Sequence, residues 1–205
     1  MRRKEFAVHE QQEIEQFLHE QSYGFLGTVG EDGWSRVTPL NFVYGHEVFY
    51  FHGSLAGEKM KHMKSDNRVS FTVAEEYSLI PSYFFDPDLA CPATAFFKSV
   101  MVKGRAEKVT DLTEKAAALN LFMQKLQPEG GYLPIDAANP EYTGNLKAVS
   151  VVKIIPEQIS AKFKFGQNMK GARRAGVISG LEDRNQGKDL ETIRLMSQYC
   201  PFHTD

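Results

Sequence analysis

The stretch from Phe49 to Met63, FYFHGSLAGEKMKHM, gathers His52, Gly53, Ser54, Gly57 and Lys59 where an apolar run gives way to a basic one. A strand that ends on His52 and turns through small residues into a helix admits three chemistries: a metal site, a phosphate cradle, or a plain strand-to-helix corner. The start of a helix concentrates unpaired N–H groups and partial positive charge, so it favours an anion. Lys59 falls within the first turns of that helix, where its charge is mildly unfavourable unless an anion offsets it. Lys61, His62 and Lys64 add to the positive charge, and Gly53, Ala56 and Gly57 would let a ligand approach the backbone closely. On spacing alone the plain corner, with Lys59 in water, is the commoner arrangement.

A second feature is GWSRVTPLNFV, residues 33–43, where Thr38-Pro39 interrupts a strand-like alternation. Pro39 cannot donate a ladder hydrogen bond, which implies an edge, a bulge or a gap in a sheet. A gap leaves backbone groups free for a planar, hydrogen-bonding ligand. Arg36 lies two residues before Thr38, on the same face, and is able to pair with a phosphate. An edge strand closed by proline accounts for the pattern equally well.

The two cysteines each precede a proline, Cys91-Pro92 and Cys200-Pro201, the latter near His203. Such pairs invite a haem or metal reading, yet two thiols and scattered histidines do not make a metal-ligand spacing. Two cysteines make no disulfide framework, and the expected setting is cytoplasmic.

Composition narrows the classes further. The 205 residues, 42% hydrophobic and 24% charged, suit one soluble globular domain spanning 1–205. A net charge of -2, with scattered basic residues, gives no footprint for nucleic acid. No stretch approaches the ~20 apolar residues of a membrane span, and the basic start MRRKEF lacks the apolar core of a secretory signal.

These residues need elements to hold them. A helix is expected over about 10–20, where Ile14, Phe17 and Leu18 share a stripe. Three strands follow, at about 23–30, 34–44 and 47–52, punctuated by Asp32-Gly33 and Gly45-His46. Ser54 is placed to cap a helix over 55–64, and NRVSFTVA forms a fourth strand. Residues 76–92 read as an ordered loop. The fifth strand, within 93–109, turns Val100, Val102, Gly104 and Ala106 one way and Ser99, Met101, Lys103 and Arg105 the other. A helix over 111–127 leaves Lys115 on an exposed face. LKAVSVVKIIP gives a sixth strand, stopped by Pro156, and a helical extension from about 170 holds helices near 171–183 and 190–199. Hairpin-connected strands with inserted helices favour a closed or nearly closed antiparallel barrel; GTVGEDG leads into a strand and is no dinucleotide fingerprint.

The order GTVGEDGWSRVTPLNFVYGHEVFYFHGSLAGEKMKHMKSDNRVSFTV, followed by FFKSVMVKGRAEKV, resembles the pyridoxamine 5'-phosphate oxidase-like family over about residues 5–165, and most closely its nitroimidazole-reductase-like branch. The resemblance implies a mainly β protein with helices (α+β), a six-stranded antiparallel split β-barrel that binds FMN. It implies a homodimer with flavin at the interface and an oxidoreductase, a reductase or oxidase, acting on a small-molecule substrate; a non-catalytic flavin- or haem-binding module is the alternative. By resemblance, Arg36, Val37, Thr38, Pro39 and Leu40 lie along the flavin and its ribityl chain. His52, Gly53, Ser54 and Lys59 hold the phosphate and the end of the flavin, with His52 also a candidate proton donor. Ser99 and Val100 match positions at the isoalloxazine edge, and Lys164, Gln167 and Asn168 fall where C-terminal residues close over the cofactor. The chain departs from pyridoxamine phosphate oxidases proper: its one tryptophan is Trp34, in a hairpin, so the C-terminal Trp and Arg arrangement for a substrate phosphate is unmatched.

Overall fold

Alternating apolar and polar residues build the strands into one sheet, described here from a computed structural model covering residues 3–54 and 56–201. After a 3-10 turn at Lys4–Phe6 come β1 (Ala7–Val8), α1 (Gln11–Glu20), β2 (Tyr23–Val29), β3 (Ser35–Asn41), β4 (Val43–Gly45) and β5 (Val48–Gly53). Then follow α2 (Glu58–Ser65), β6 (Arg68–Ile80), β7 (Thr94–Lys108), α3 (Leu112–Leu126), α4 (Pro140–Ala148), β8 (Ser150–Lys164), α5 (Gly171–Arg184) and α6 (Asp189–Gln198). The strand order is β3-β2-β6-β7-β8-β5-β4, with β1 on β8. The β1–β8, β2–β3, β2–β6, β4–β5 and β5–β8 ladders are antiparallel. β3 ends the sheet path and also approaches β5, with no ladder joining the two.

The sheet has eight strands among the described residues, where six were expected. Phe42 divides the expected second strand: its N–H donates to Ser22 O (3.1 Å) and its ring turns inward against Phe49 and Phe71. The other addition is the two-residue β1. Boundaries also move: Leu146, Lys147 and Ala148, expected to open the sixth strand, end α4 instead. Residues 76–80 belong to β6 and not to a loop, and β8 passes through Pro156 to Lys164. Proline lacks only the donor N–H, so a strand tolerates it where no ladder bond is needed.

The chain divides into two units. The first, 11–73 with 101–159, buries Leu26, Phe42, Phe49, Phe51, Phe71 and Ile154. In it the Asp32-Gly33 hairpin forms as expected, with Gly33 at φ 78° and Trp34 N–H donating to Asp32 Oδ1 (3.1 Å). A second cluster, Val43, Tyr50, Val109, Ala118, Phe122 and Val151, seats α3 on the opposite face of β5. Asp111 caps α3 by accepting from Glu114 N–H (2.7 Å). Lys115 is not exposed: it is 4% accessible and donates to Leu146 O and Val149 O, both at 2.8 Å, closing the C-terminal end of α4. Lys125 does the same for α1, donating to Leu18 O and Gln21 O.

The second unit, 3–10 with 74–100 and 160–201, packs Tyr77, Phe96, Phe163 and Phe165 with Val177, Leu181 and Met196 of α5 and α6. Its buried polar centre is Asp189, 2% accessible. Asp189 accepts from Arg184 Nε (2.8 Å) and Nη2 (2.7 Å), from Ser78 Oγ (2.8 Å) and from Gln186 N–H (3.0 Å). The helices expected near 171–183 and 190–199 are α5 and α6.

Candidate functional site

β5 ends at Gly53 and α2 begins at Glu58. Ser54 does not cap the helix, because its Oγ accepts from Ala56 N–H (3.2 Å) within the turn. The cap position belongs to Gly57, extended at φ 160° and ψ 161°, and no side-chain cap bond to the helix start forms among the described residues. A Cβ at Gly57 would meet nothing within 4 Å, so this helix start opens outward. Lys59 folds back over the strand end: a Cβ on Gly53 would lie 3.7 Å from its Nζ. The strand end, the uncapped helix and the ammonium therefore share one corner.

Arg36 reaches the same corner from β3. Its Nη2 donates to Asp32 Oδ2 (2.9 Å) and its Nε to Glu58 Oε1 (3.1 Å), in the first turn of α2. Hydrogen bonding to Arg36 and to Trp34 N–H holds the Asp32 carboxyl below its ordinary pKa, and the same bond raises that of Arg36. Glu58 also lies 3.7 Å from Nε2 of the buried His62, whose Nδ1 is 3.0 Å from Thr28 Oγ1. The pairing of Arg36 with two carboxylates was not legible in the sequence. Nor was the burial of His62, which reads there as one more basic residue. Along β3, Arg36, Thr38 and Leu40 are half-buried on one face, while Val37 and Pro39 are exposed on the other.

His52 stands apart from this group. It shares a face of β5 with Tyr50, so its ring points toward α3 and meets Phe122 edge-on, centroids 4.8 Å apart. Although part of the ring is exposed, the covered part lowers its pKa below the usual histidine value, which favours the neutral form.

The remaining expected residues belong to the other unit. Ser99 is half-buried, whereas Val100 is wholly buried and presents no surface to a ligand. Gln167 is 6% accessible and spends both ends on its own turn: Oε1 accepts from Phe165 N–H (2.8 Å) and Nε2 donates to Phe163 O (2.7 Å). Lys164 donates to Thr94 Oγ1, and Asn168 is exposed. Lys164 and Asn168 border a cavity of about 430 Å³ together with Arg3, Lys162 and Arg173. The alternation Lys162-Phe163-Lys164-Phe165 was the available signal that two lysines share a face; Arg3 and Arg173 carried none.

The sheet, with helices inserted between hairpins, is a split β-barrel. A family model described as pyridoxamine 5'-phosphate oxidase matches residues 10–163, and the chain belongs to that family. A candidate 5-nitroimidazole antibiotic resistance protein from Bacteroides thetaiotaomicron superposes with a TM-score of 0.61 at 22% identity, over 76% of this chain and 85% of that one. The flavocytochrome Anf3 from Azotobacter vinelandii gives 0.64 at 25% identity, over 78% and 69%. A FAD and haem binding protein from Mycobacterium smegmatis gives 0.61 at 14% identity, over 78% and 74%. Among curated proteins, none matches significantly.

Among the described residues no group of three or more His, Cys, Asp and Glu side chains is placed to hold a metal ion, and His203 lies outside them. No helix among them is long and apolar enough to cross a membrane.

Proposed function

We propose that the protein binds FMN and uses it as an oxidoreductase of a small molecule, in the manner of the nitroimidazole-reductase-like branch. The observation that carries this reading is the corner of Gly53, Gly57 and Lys59. An uncapped helix start, an adjacent ammonium and two positions without side chains suit a phosphate monoester. Arg36 is close enough to join once a phosphate competes with Glu58. Thr38 and Leu40 line the β3 face that the flavin would follow, and the unladdered approach of β3 to β5 leaves main-chain groups available to it. Bound FMN would supply the hydride and electron chemistry, and the chain its orientation and charge environment. His52, held neutral on the α3 face, is a tentative proton donor. The flavin-binding relatives support the cofactor class; the choice of FMN rests on this single-phosphate corner.

A homodimer completes the proposal. Tyr23, Phe25, Val29 and Val37 are 53%, 44%, 50% and 67% accessible on the outward face of β2 and β3, an apolar surface suited to a second copy. Free Cys91 and Cys200 agree with a cytoplasmic setting.

Reconstitution with FMN tests the cofactor. The protein should turn yellow and bind flavin stoichiometrically, and Lys59→Ala should weaken binding roughly 10- to 100-fold, as expected for a charged hydrogen bond worth ~1.5–3 kcal/mol. Lys147→Ala, on an exposed face of α4, serves as the control. Equal affinities would remove Lys59 from the site, and failure to bind FMN would overturn the reading. Sustained anaerobic oxidation of NAD(P)H with an electron acceptor distinguishes an enzyme from a storage or haem-binding module.

A further inference from the structure

A cavity of the second unit carries charge of one sign. Four cationic side chains, Arg3, Lys162, Lys164 and Arg173, line it, with no aspartate or glutamate in the lining. Among the described residues none of the four makes an ion pair, although the protein as a whole is slightly acidic; Lys162 and Lys164 are half-buried, and Arg3 and Arg173 are exposed. Like charges gathered without a counter-charge repel one another, and folding tolerates the arrangement only at a cost. Burial, then Lys162 and Arg3, lower the pKa of Lys164, the direction that such crowding produces.

The cations are also held in place. Lys162 Nζ lies 5.6 Å from the Phe6 ring centre and 5.1 Å from that of Phe97; Arg173 stacks at 4.4 Å on Phe85. Lys164 is anchored to Thr94 Oγ1. Rings favour cations over their faces, so the charges do not need to be ordered when a ligand arrives. The start of α5 points the same way. Lys170 gives it no side-chain cap, and its first turn carries Arg173 and Arg174 with no acid, opposite to what the helix dipole prefers. An anion would reverse each of these penalties.

We infer that this cavity binds the anionic group of a second small molecule, a phosphate ester or a polycarboxylate, through Arg3, Lys162, Lys164 and Arg173. The inference stands apart from the flavin reading, since it would hold for a chain that bound no flavin. Its volume of about 430 Å³ accommodates a small metabolite.

Calorimetric titration of the full chain, preincubated with saturating FMN, tests it at constant ionic strength. Sodium pyrophosphate is the probe in one arm and citrate in the other. Saturable one-to-one binding is expected, weakened roughly tenfold or more in both Lys162→Gln and Arg173→Gln. Both variants should keep the parent's far-ultraviolet circular dichroism and its FMN affinity. Tighter binding of pyrophosphate assigns phosphate esters, and tighter binding of citrate assigns polycarboxylates. Absence of saturable binding of either probe overturns the inference, as does unchanged affinity in the variants. Joint loss of FMN and probe affinity would make the cavity part of the flavin site and overturn it as a separate one. If FMN fails to bind the parent, the same titration still reads the cavity, and only the flavin reading falls.

Discussion

Arg36 Nε and Glu58 Oε1 stand 3.1 Å apart, so the edge of the sheet is tied to the first turn of α2 by a charge pair at the proposed phosphate corner. The carboxylate of Glu58 competes for the guanidinium and repels an incoming anion. Glu58→Gln should therefore raise FMN affinity several-fold, read by quenching of flavin fluorescence. Weaker binding in this variant would mean that Glu58 positions Arg36 instead of restraining it.

The proposed dimer makes a direct prediction. Phe25→Glu places a charge on the exposed face of β2, where a monomer tolerates it within about 0.5 kcal/mol. Sedimentation should show the parent as a dimer and the variant shifted toward monomer, with stability of the monomeric fold retained. A variant that sediments as the parent does would move the interface elsewhere.

Lys125 should give the protein an alkaline signature. Burial lowers its pKa from the ordinary 10.5 to about 8, while it donates to the last carbonyls of α1. Between those values the unfolded chain binds more protons than the folded one, so this group's contribution to stability rises with pH. Relative to Lys125→Met, the parent should gain about 1 kcal/mol between pH 8 and 10.5, after allowance for its partly exposed stem. Urea denaturation at several pH values reads the difference, and a gap that shrinks with rising pH would contradict it.

The opposite end of the pH scale belongs to Asp189. Arg184, with help from Gln186 N–H and Ser78, holds its pKa down to about 2 against the effect of burial. A carboxylate with a depressed pKa stabilises the fold above its unfolded value, and that contribution is lost as pH falls from about 4 toward 2. Asp189→Asn leaves Arg184 without its partner and should cost about 3–5 kcal/mol. It should also flatten the acid limb of the stability profile, measured by chemical denaturation.

Local signals made much of this fold legible. The α1 stripe, the Asp32-Gly33 hairpin and the β7 alternation all act within a few residues, and the structure follows each of them. What escaped depends on partners distant in sequence. Phe42 breaks its strand because Phe49 and Phe71 offer its ring a core site, and Pro156 ends nothing because the strand continues beyond it. α4 went unforeseen because its apolar stripe is slight, with Leu146 its buried residue. At the candidate site, spacing disclosed the Gly53–Lys59 corner but not its occupants: Ser54 turned to its own loop, Gly57 took the cap position, and Arg36 found two carboxylates. Charge patterning in the sequence likewise could not show that Arg3 and Arg173 converge on Lys162 and Lys164.

The concealment of Lys115 beneath α4 makes this amine a native tracer. Acylating reagents that mark surface lysines within seconds will pass over it while its two carbonyl partners stay in place. Its modification, followed by peptide mass spectrometry, would time the parting of α4 from α3 without any introduced probe.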